Sequence, residues 1–383
     1  MRFAFTEQQL ELRAAVRTVL EQQCTAGDLR ALADLQRTGG HAHGDVGRSA
    51  ARWAVLSELG APGLLVPVEH GGLGLTEVDL VGVAEEAGRA GVPEPLFESG
   101  AMAAPVLVGA AALSAEGARA GAIAADALPA IASGELVSTL GGVEQTADGP
   151  VTTSHPAGPD GSVLTPRVAG AARAGLFVLA HHTGSAWQLH VVGADSTRVT
   201  PAPSIDPIRD LGTVEWTPGP GTLLVEGAHA ATLVDDAVDR AALVTAAQLL
   251  GLADRLITLA VDYAKERRQF GRPIGSFQAV QHPLADVRVR LEFARPAAYR
   301  AADSVARGIG DRSEHVSMAK ALASDAADLA ARVALQVHGA IGYTWECDLH
   351  LFMKHAWSLS AAWGNGAVHR ARVLAAALRR ADD

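Results

Sequence analysis

The period of the apolar positions changes twice along the chain. Leu12, Val16, Val19 and Leu20 recur at i, i+4, i+7 and i+8, which is one stripe of a helix, and Thr6 followed by Gln9 three residues on makes a capping-box pattern. The chain is therefore expected to open with a helix. From there to about residue 133, Ala, Leu and Glu dominate, with Gly or Pro breaks at 64–75 (LLVPVEHGGLGL) and 91–95 (GVPEP), predicting a bundle of short helices. Between 135 and about 228, β-branched residues come in short runs split by Gly, Pro, Asp and Ser, the grammar of small antiparallel sheets. The clearest hairpin pairs 175–180 (GLFVLA) with 187–192 (WQLHVV) across a turn through His182 and Gly184, and 223–225 closes the region. From 235 onward the helical period returns, broken mainly at 271–275, 308–310 and 339–342. Pro283 and Pro296 fall inside that region, and each removes a backbone donor, so kinks or helix ends are expected there. The pattern predicts an α+β chain in three parts: an all-α domain over 1–134, a barrel-like β-domain over 135–230 and a helical bundle over 231–383.

Composition narrows the chemistry. The chain has 383 residues, 49% hydrophobic and 19% charged, enough for two or three packed cores. Its 32 Lys and Arg against 42 Asp and Glu give a net charge of -10, which argues against a phosphate-binding surface as its main purpose and against nucleic acid as a partner. Cys24 and Cys347 are far apart and lack ligand spacing, so neither a disulfide framework nor a cysteine zinc site is expected. Glu7 and Glu11 interrupt the start, which does not read as a secretion signal. The longest uncharged run, 99–115, is shorter than the ~20 apolar residues of a membrane span and contains Gly100, Pro105 and Gly109. No membrane partner is expected, and the cytoplasm fits. His41 with His43, and His181 with His182, read as loop residues, so no metal is expected. Gly71, Gly72 and Gly74 do not form a dinucleotide fingerprint and are assigned to a turn before a helix at Glu77, and no Walker loop or GxSxG string is present.

The third part carries two dense motifs, 263–287 (YAKERRQFGRPIGSFQAVQHPLADV) and 334–356 (ALQVHGAIGYTWECDLHLFMKHA). Together they closely resemble the flavin-dependent acyl-CoA dehydrogenase family, and LLVPVEHGGLGL resembles it too. The likeness spans essentially the whole chain. It implies an N-terminal helical domain, a middle antiparallel β-domain, a C-terminal four-helix bundle for oligomerisation and FAD contact, and a dimer or dimer of dimers. It further implies FAD as cofactor, α,β-dehydrogenation of an acyl-CoA or related acyl thioester, and electron-transfer flavoprotein or a similar acceptor. In that family FAD lies between subunits, and the match assigns Arg267, Gln269, Phe270, Ile274 and Gln278 to the flavin of the adjacent chain. The second motif resembles the stretch touching the adenosine diphosphate part, which assigns Gln336, Gly339 and Ala340, the last in place of a more usual glycine. The residue chemistry agrees: an Arg fork pairs with pyrophosphate, Phe270 offers an apolar face, and the 271–275 break allows close approach. Outside the motif, Arg267 would read as a surface charge, and Phe270 and Phe277 as core positions. His338 could equally donate to a phosphate or be structural. Glu346 and Asp348 are expected to cap the following helix.

Two departures from the family pattern are visible. The reaction removes an α-proton from a thioester and so needs a positioned carboxylate. In most members this is a glutamate followed by glycine; counting from Gln336, that place is held by Trp363, with Gly364 following. Some members carry the base on the helix leading into the first motif, a place that falls here at Ala241, two residues and about 200° around a helix from Asp239. No family base is assigned, and Asp239 is the one substitute within reach. The flavin-holding segment that usually opens the middle domain is replaced by 137–145 (VSTLGGVEQ). Both departures fit the base-lacking subunit of actinobacterial heterotetrameric acyl-CoA dehydrogenases. Two alternatives stay open: a self-sufficient homo-oligomeric flavoenzyme whose base is Asp239 or another carboxylate, and a cofactor-free binding or scaffold protein that kept the fold. Trp363 is either a stacking residue at the site or a bundle-core tryptophan. Steroid side chains, fatty acids and natural-product thioesters are all compatible with the sequence.

Overall fold

The computed structural model describes residues 5–38, 49–113 and 119–382; His41 and His43 lie outside them. Among the described residues, six α-helices precede the first strand: α1 (Glu7–Gln23), α2 (Ala26–Arg37), α3 (Ala50–Glu58), α4 (Glu77–Ala90), α5 (Ala104–Leu113) and α6 (Arg119–Ala132). Thr6 and Gln9 close the expected capping box on α1. The glycine-rich stretch before α4 is a turn, with Gly71 and Gly74 at positive φ, and Thr76 and Asp79 form a second capping box. A π-helical turn, Glu98–Ala103, leads into α5.

Ten strands follow: β1 (Ser138–Gly141), β2 (Val143–Thr146), β3 (Gly149–Thr152), β4 (His155–Pro156), β5 (Val163–Ala169), β6 (Leu176–His182), β7 (Trp187–Gly193), β8 (Arg198–Pro201), β9 (Leu211–Trp216) and β10 (Leu223–Glu226). They form two four-stranded sheets, β1-β6-β7-β10 and β4-β5-β9-β8, with β2-β3 as a separate hairpin. The predicted 175–192 hairpin is β6 paired with β7, and β10 closes on β7. His181 and His182 end β6 and pair with Gln188 and Trp187, so they are strand residues and not loop residues. One pair, β1 with β6, is parallel in an otherwise antiparallel domain, because β1 arrives from the helical domain with no hairpin to set its direction. Val168, Phe177, Leu179, Val214 and Trp216 fill a second core, separate from the helical one.

The last part holds α7 (Gly227–Glu266), the short hairpin strands β11 (Arg268–Gln269) and β12 (Arg272–Pro273), and helices α8 (Gln278–Ala306), α9 (Arg312–His338), α10 (Leu349–Ala361) and α11 (Gly366–Asp382). At 40 residues, α7 runs about 60 Å. It is long and apolar enough to cross a membrane by length and composition, yet 67% of its most apolar window is buried inside the protein, as befits a central core helix. Its crossing with α4 is a glycine-on-glycine contact: a Cβ on Gly251 would sit 1.8 Å from the Glu85 carbonyl oxygen, and one on Gly88 would sit 2.1 Å from that of Gln248. Neither proline breaks α8, which runs unbroken through Pro283 and Pro296. The carbonyls they leave without an i+4 donor belong to Ala279 and Glu292, both exposed, so water replaces the lost bonds.

Candidate functional site

Two separate places gather the residues singled out by the sequence. The first is a cavity of about 300 Å³ between the β-domain and the C-terminal end of α10. Trp363 lines it, together with Leu140, Gly141, Gly142, Val143 and Glu144 from the stretch that replaces the usual flavin-holding segment. Trp363 is 9% exposed and has φ 56, and Gly364 follows at φ 86, so two consecutive left-handed residues turn the chain away from α10. For tryptophan that conformation is unfavourable and needs support from its surroundings.

The support is polar and buried. Lys320 on α9, fully buried, donates to the carbonyls of Ser360 at 3.0 Å and Gly364 at 3.1 Å. With no carboxylate within 4 Å of its ammonium among the described residues, desolvation dominates and pulls its pKa down to about 7. Neutral His369, whose pKa burial lowers to about 4, donates from Nε2 to the Trp363 carbonyl at 2.9 Å. Glu144 accepts from the backbone N–H of Gly364 at 2.9 Å and of Gln145 at 3.1 Å. Among the described residues, Glu144 is the one carboxylate lining this cavity, and both backbone donors bind its Oε1. Two arginines also line the cavity: Arg167, at φ 55 in the β5 bulge, and Arg209.

Asp239 does not line that cavity. It is buried, accepts from the Ser313 hydroxyl at 2.5 Å, and lies 3.7 Å from both Arg312 and Arg372. Burial raises its pKa, and the Ser313 hydrogen bond and the two arginines oppose the rise. Its carboxylate packs against the start of α9 and against α11, where it ties helices together. Ala241 is fully buried.

The second place is the far end of the bundle. Arg268 pairs with Pro273 and Gln269 with Arg272, leaving a two-residue loop of Phe270 (φ 51) and Gly271 (φ 77), the backbone of a type I′ turn. Glycine suits that geometry; phenylalanine does not, at about 1–2 kcal/mol. Phe270 is nevertheless 90% exposed at the tip, edge-on to Phe277 at 6.0 Å. Arg267, Gln269 and Gln278 are exposed beside it, and Ile274 is half-buried in the turn below. No carboxylate lies within 4 Å of Arg267 among the described residues. Gln336, Gly339 and Ala340 are exposed where α9 ends. The Tyr263 ring, one turn before Arg267, stacks on His338 at 4.4 Å and 19°, so the two motifs leave the bundle side by side. His338 is structural in this arrangement, its Nδ1 donating to the Ala334 carbonyl at 2.8 Å. Asp348 does not cap α10; its carboxylate takes a bidentate bond from Arg30 at 2.6 and 2.8 Å.

Both motifs thus form one exposed patch with a free guanidinium, three amides (Gln269, Gln278 and Gln336), a glycine turn and an aromatic ring, a donor set suited to a phosphate-linked aromatic cofactor. Eighteen residues of α9, about 27 Å of helix, separate His338 at this patch from Lys320 behind the Trp363 cavity. One chain therefore presents the two places at opposite ends of its bundle.

Residues 6–135 match the family model for the acyl-CoA dehydrogenase N-terminal domain, and residues 231–378 match that for the acyl-CoA dehydrogenase C-terminal domain. This chain belongs to the acyl-CoA dehydrogenase family. Among its relatives, acyl-CoA dehydrogenase IpdE2 of Mycolicibacterium smegmatis is 31% identical over 92% of this chain and 93% of its own. Acyl-CoA dehydrogenase FadE34 of Mycobacterium tuberculosis is 34% identical over 84% of this chain and 41% of its own. The fold matches a chain of the ChsE4-ChsE5 complex from Mycobacterium tuberculosis at TM-score 0.80 and 24% identity, covering 97% and 98% of the two chains. Members of the family are FAD-dependent oxidoreductases, and the α, β, α order expected of them is the order found.

Sequence reading missed Lys320, Arg167, Arg209 and the buried pair Asp206–His355. Lys320 left a weak signal: it follows Val316 by four residues on the buried, Ala-rich face of α9 that also carries Ser317 and Ser324. Asp206 and His355 are 149 positions apart and left none.

Proposed function

We propose that this chain is a subunit supporting FAD-dependent α,β-dehydrogenation of an acyl-CoA thioester, contributing the cross-subunit half of the FAD site without a glutamate at the usual base position. The observation that carries the reading is the exposed patch formed by Arg267, Gln269, Phe270, Gln336, Gly339 and Ala340 at the end of the bundle remote from the chain's own Trp363 cavity. A strained, exposed phenylalanine beside an unpaired arginine is expected where another surface covers them. Arg267 would hold the pyrophosphate, Phe270 would pack on a ring, and the Gly339 turn would let backbone approach the adenosine part. When bound, FAD supplies a two-electron acceptor. The Trp363 cavity, whose one carboxylate is engaged with backbone, fits a subunit that leaves proton abstraction to its partner. The reading places the chain in a tetramer with a related acyl-CoA dehydrogenase subunit, with electron-transfer flavoprotein or a similar acceptor downstream.

The test is co-expression with a related dehydrogenase subunit, followed by FAD content per chain. The chain alone is expected to be colourless and inactive, the complex to hold one FAD per two chains, and Arg267→Ala to lose that FAD. A yellow, active homo-oligomer of this chain alone would refute the proposal in favour of a self-sufficient enzyme.

A further inference from the structure

Behind the Trp363 cavity lies a smaller one of about 30 Å³, lined by Glu98, Gln248, His355 and Arg209. Arg209 lines both cavities and is the wall between them. Its Nη1 donates to the Ser358 hydroxyl at 3.3 Å, while its buried Nε has no hydrogen-bond partner. On the far side, His355 Nδ1 donates to Asp206 at 2.8 Å; the two side chains are 4% and 0% exposed. Asp206 is itself fixed by the Ile208 backbone N–H at 2.9 Å. Glu98 opens the π-helical turn, an irregularity that recurs at functional sites, and it has no ion-pair partner within 4 Å among the described residues. Desolvation raises its pKa, against the opposing charges of Arg209 and His355. Glu94, Glu98, Arg209, Asp210, Gln248 and His355 share the cavity's lining with apolar residues such as Val92, Ile208 and Leu359, and it has room for about two waters or one carbonyl or carboxyl group.

We propose that the acyl pocket of this chain runs from the Trp363 cavity past Arg209 to this polar floor, and that it takes an acyl group whose distal end carries a hydrogen-bond-accepting oxygen, ketone or carboxylate, in preference to a plain alkyl chain. The inference rests on the acyl-thioester reading above. A distal oxygen would accept from the unused Arg209 N–H, and the Gln248 amide would supply a further donor. An alkyl end would leave those groups desolvated and unpaired, which disfavours it by about tenfold or more in affinity.

Binding of hexanoyl-CoA, 5-oxohexanoyl-CoA and adipoyl-CoA to the purified chain, alone and in its complex, tests this by calorimetry with no turnover required. The oxo or carboxy ligand is expected to bind about tenfold tighter than hexanoyl-CoA, and the stronger of the two identifies which oxygen function is preferred. Arg209→Met should reduce the preference to about twofold or less, and Gln248→Leu should reduce it independently. Equal affinity for all three ligands, or a preference untouched by both variants, overturns the inference while leaving the FAD stoichiometry of the complex, and so the subunit reading, intact. Absence of acyl-CoA binding to this chain in a complex that retains FAD also overturns it.

Discussion

Replacing Lys320 by methionine isolates the energetics of the turn that carries Trp363. The ammonium is fully buried, and desolvation holds its pKa at about 7 against 10.5 in the unfolded chain. Between those values the unfolded chain binds more protons than the folded one, so stability rises with pH across that window and the penalty is fully present below pH 7. Integrated from pH 6 to pH 9, the two pKa values give a gain on the order of 2–3 kcal/mol for the wild type. The neutral amine keeps two N–H donors, enough for the carbonyls of Ser360 and Gly364, so the hydrogen bonds survive deprotonation. Lys320→Met has no such titration and leaves both carbonyls unpaired at every pH, at about 1–3 kcal/mol each. Urea unfolding at one protein concentration, at pH 6 and at pH 9, should therefore show the variant losing roughly 2–3 kcal/mol more, relative to wild type, at the higher pH. Groups that titrate alike in both proteins cancel in this comparison, and His369, with a pKa near 4, is already neutral throughout the window. An equal loss at both pH values, or a larger one at pH 6, would refute the account of Lys320 as a buried, desolvated amine.

Phe270→Asn should leave the isolated chain as stable or about 1 kcal/mol more stable by relieving the left-handed turn, while the co-expressed complex retains less FAD; loss of stability with unchanged flavin would reverse the assignment. Gly251→Ala places a methyl group against the Glu85 carbonyl, and thermal melting should fall by several kcal/mol equivalent or the protein should fail to accumulate, since two helix backbones cannot yield as a side-chain tip can. Asp239→Asn keeps the Ser313 bond and weakens only contacts with Arg312 and Arg372; the steady-state rate of the complex is expected to stay within about twofold of wild type, whereas a loss of two orders of magnitude would make Asp239 the base.

Local chemistry explains what could be read from the residues alone. The α, β, α order follows from apolar period, and the capping boxes at Thr6 and Thr76 follow from side chains reaching their own backbone three residues on. The two bundle motifs were legible because each is contiguous. Pro283 and Pro296 do not end α8, because whether a helix tolerates a freed carbonyl depends on whether it meets water, which is a property of the packed surface. The parallel β1–β6 pair and the fate of Asp348, bound to Arg30 across 318 positions, likewise depend on partners remote in sequence.

The order of elements, the family and the identity of the exposed motif residues were determined by the amino-acid sequence, since each rests on contacts within a few residues. Only the folded chain decided that Tyr263 and His338 bring the two motifs together, that Trp363 sits in a left-handed turn clamped by a buried lysine, and that Arg209 divides one cavity from another. Those outcomes depend on desolvation and on geometry between helices and strands remote along the chain, and no local pattern encodes them.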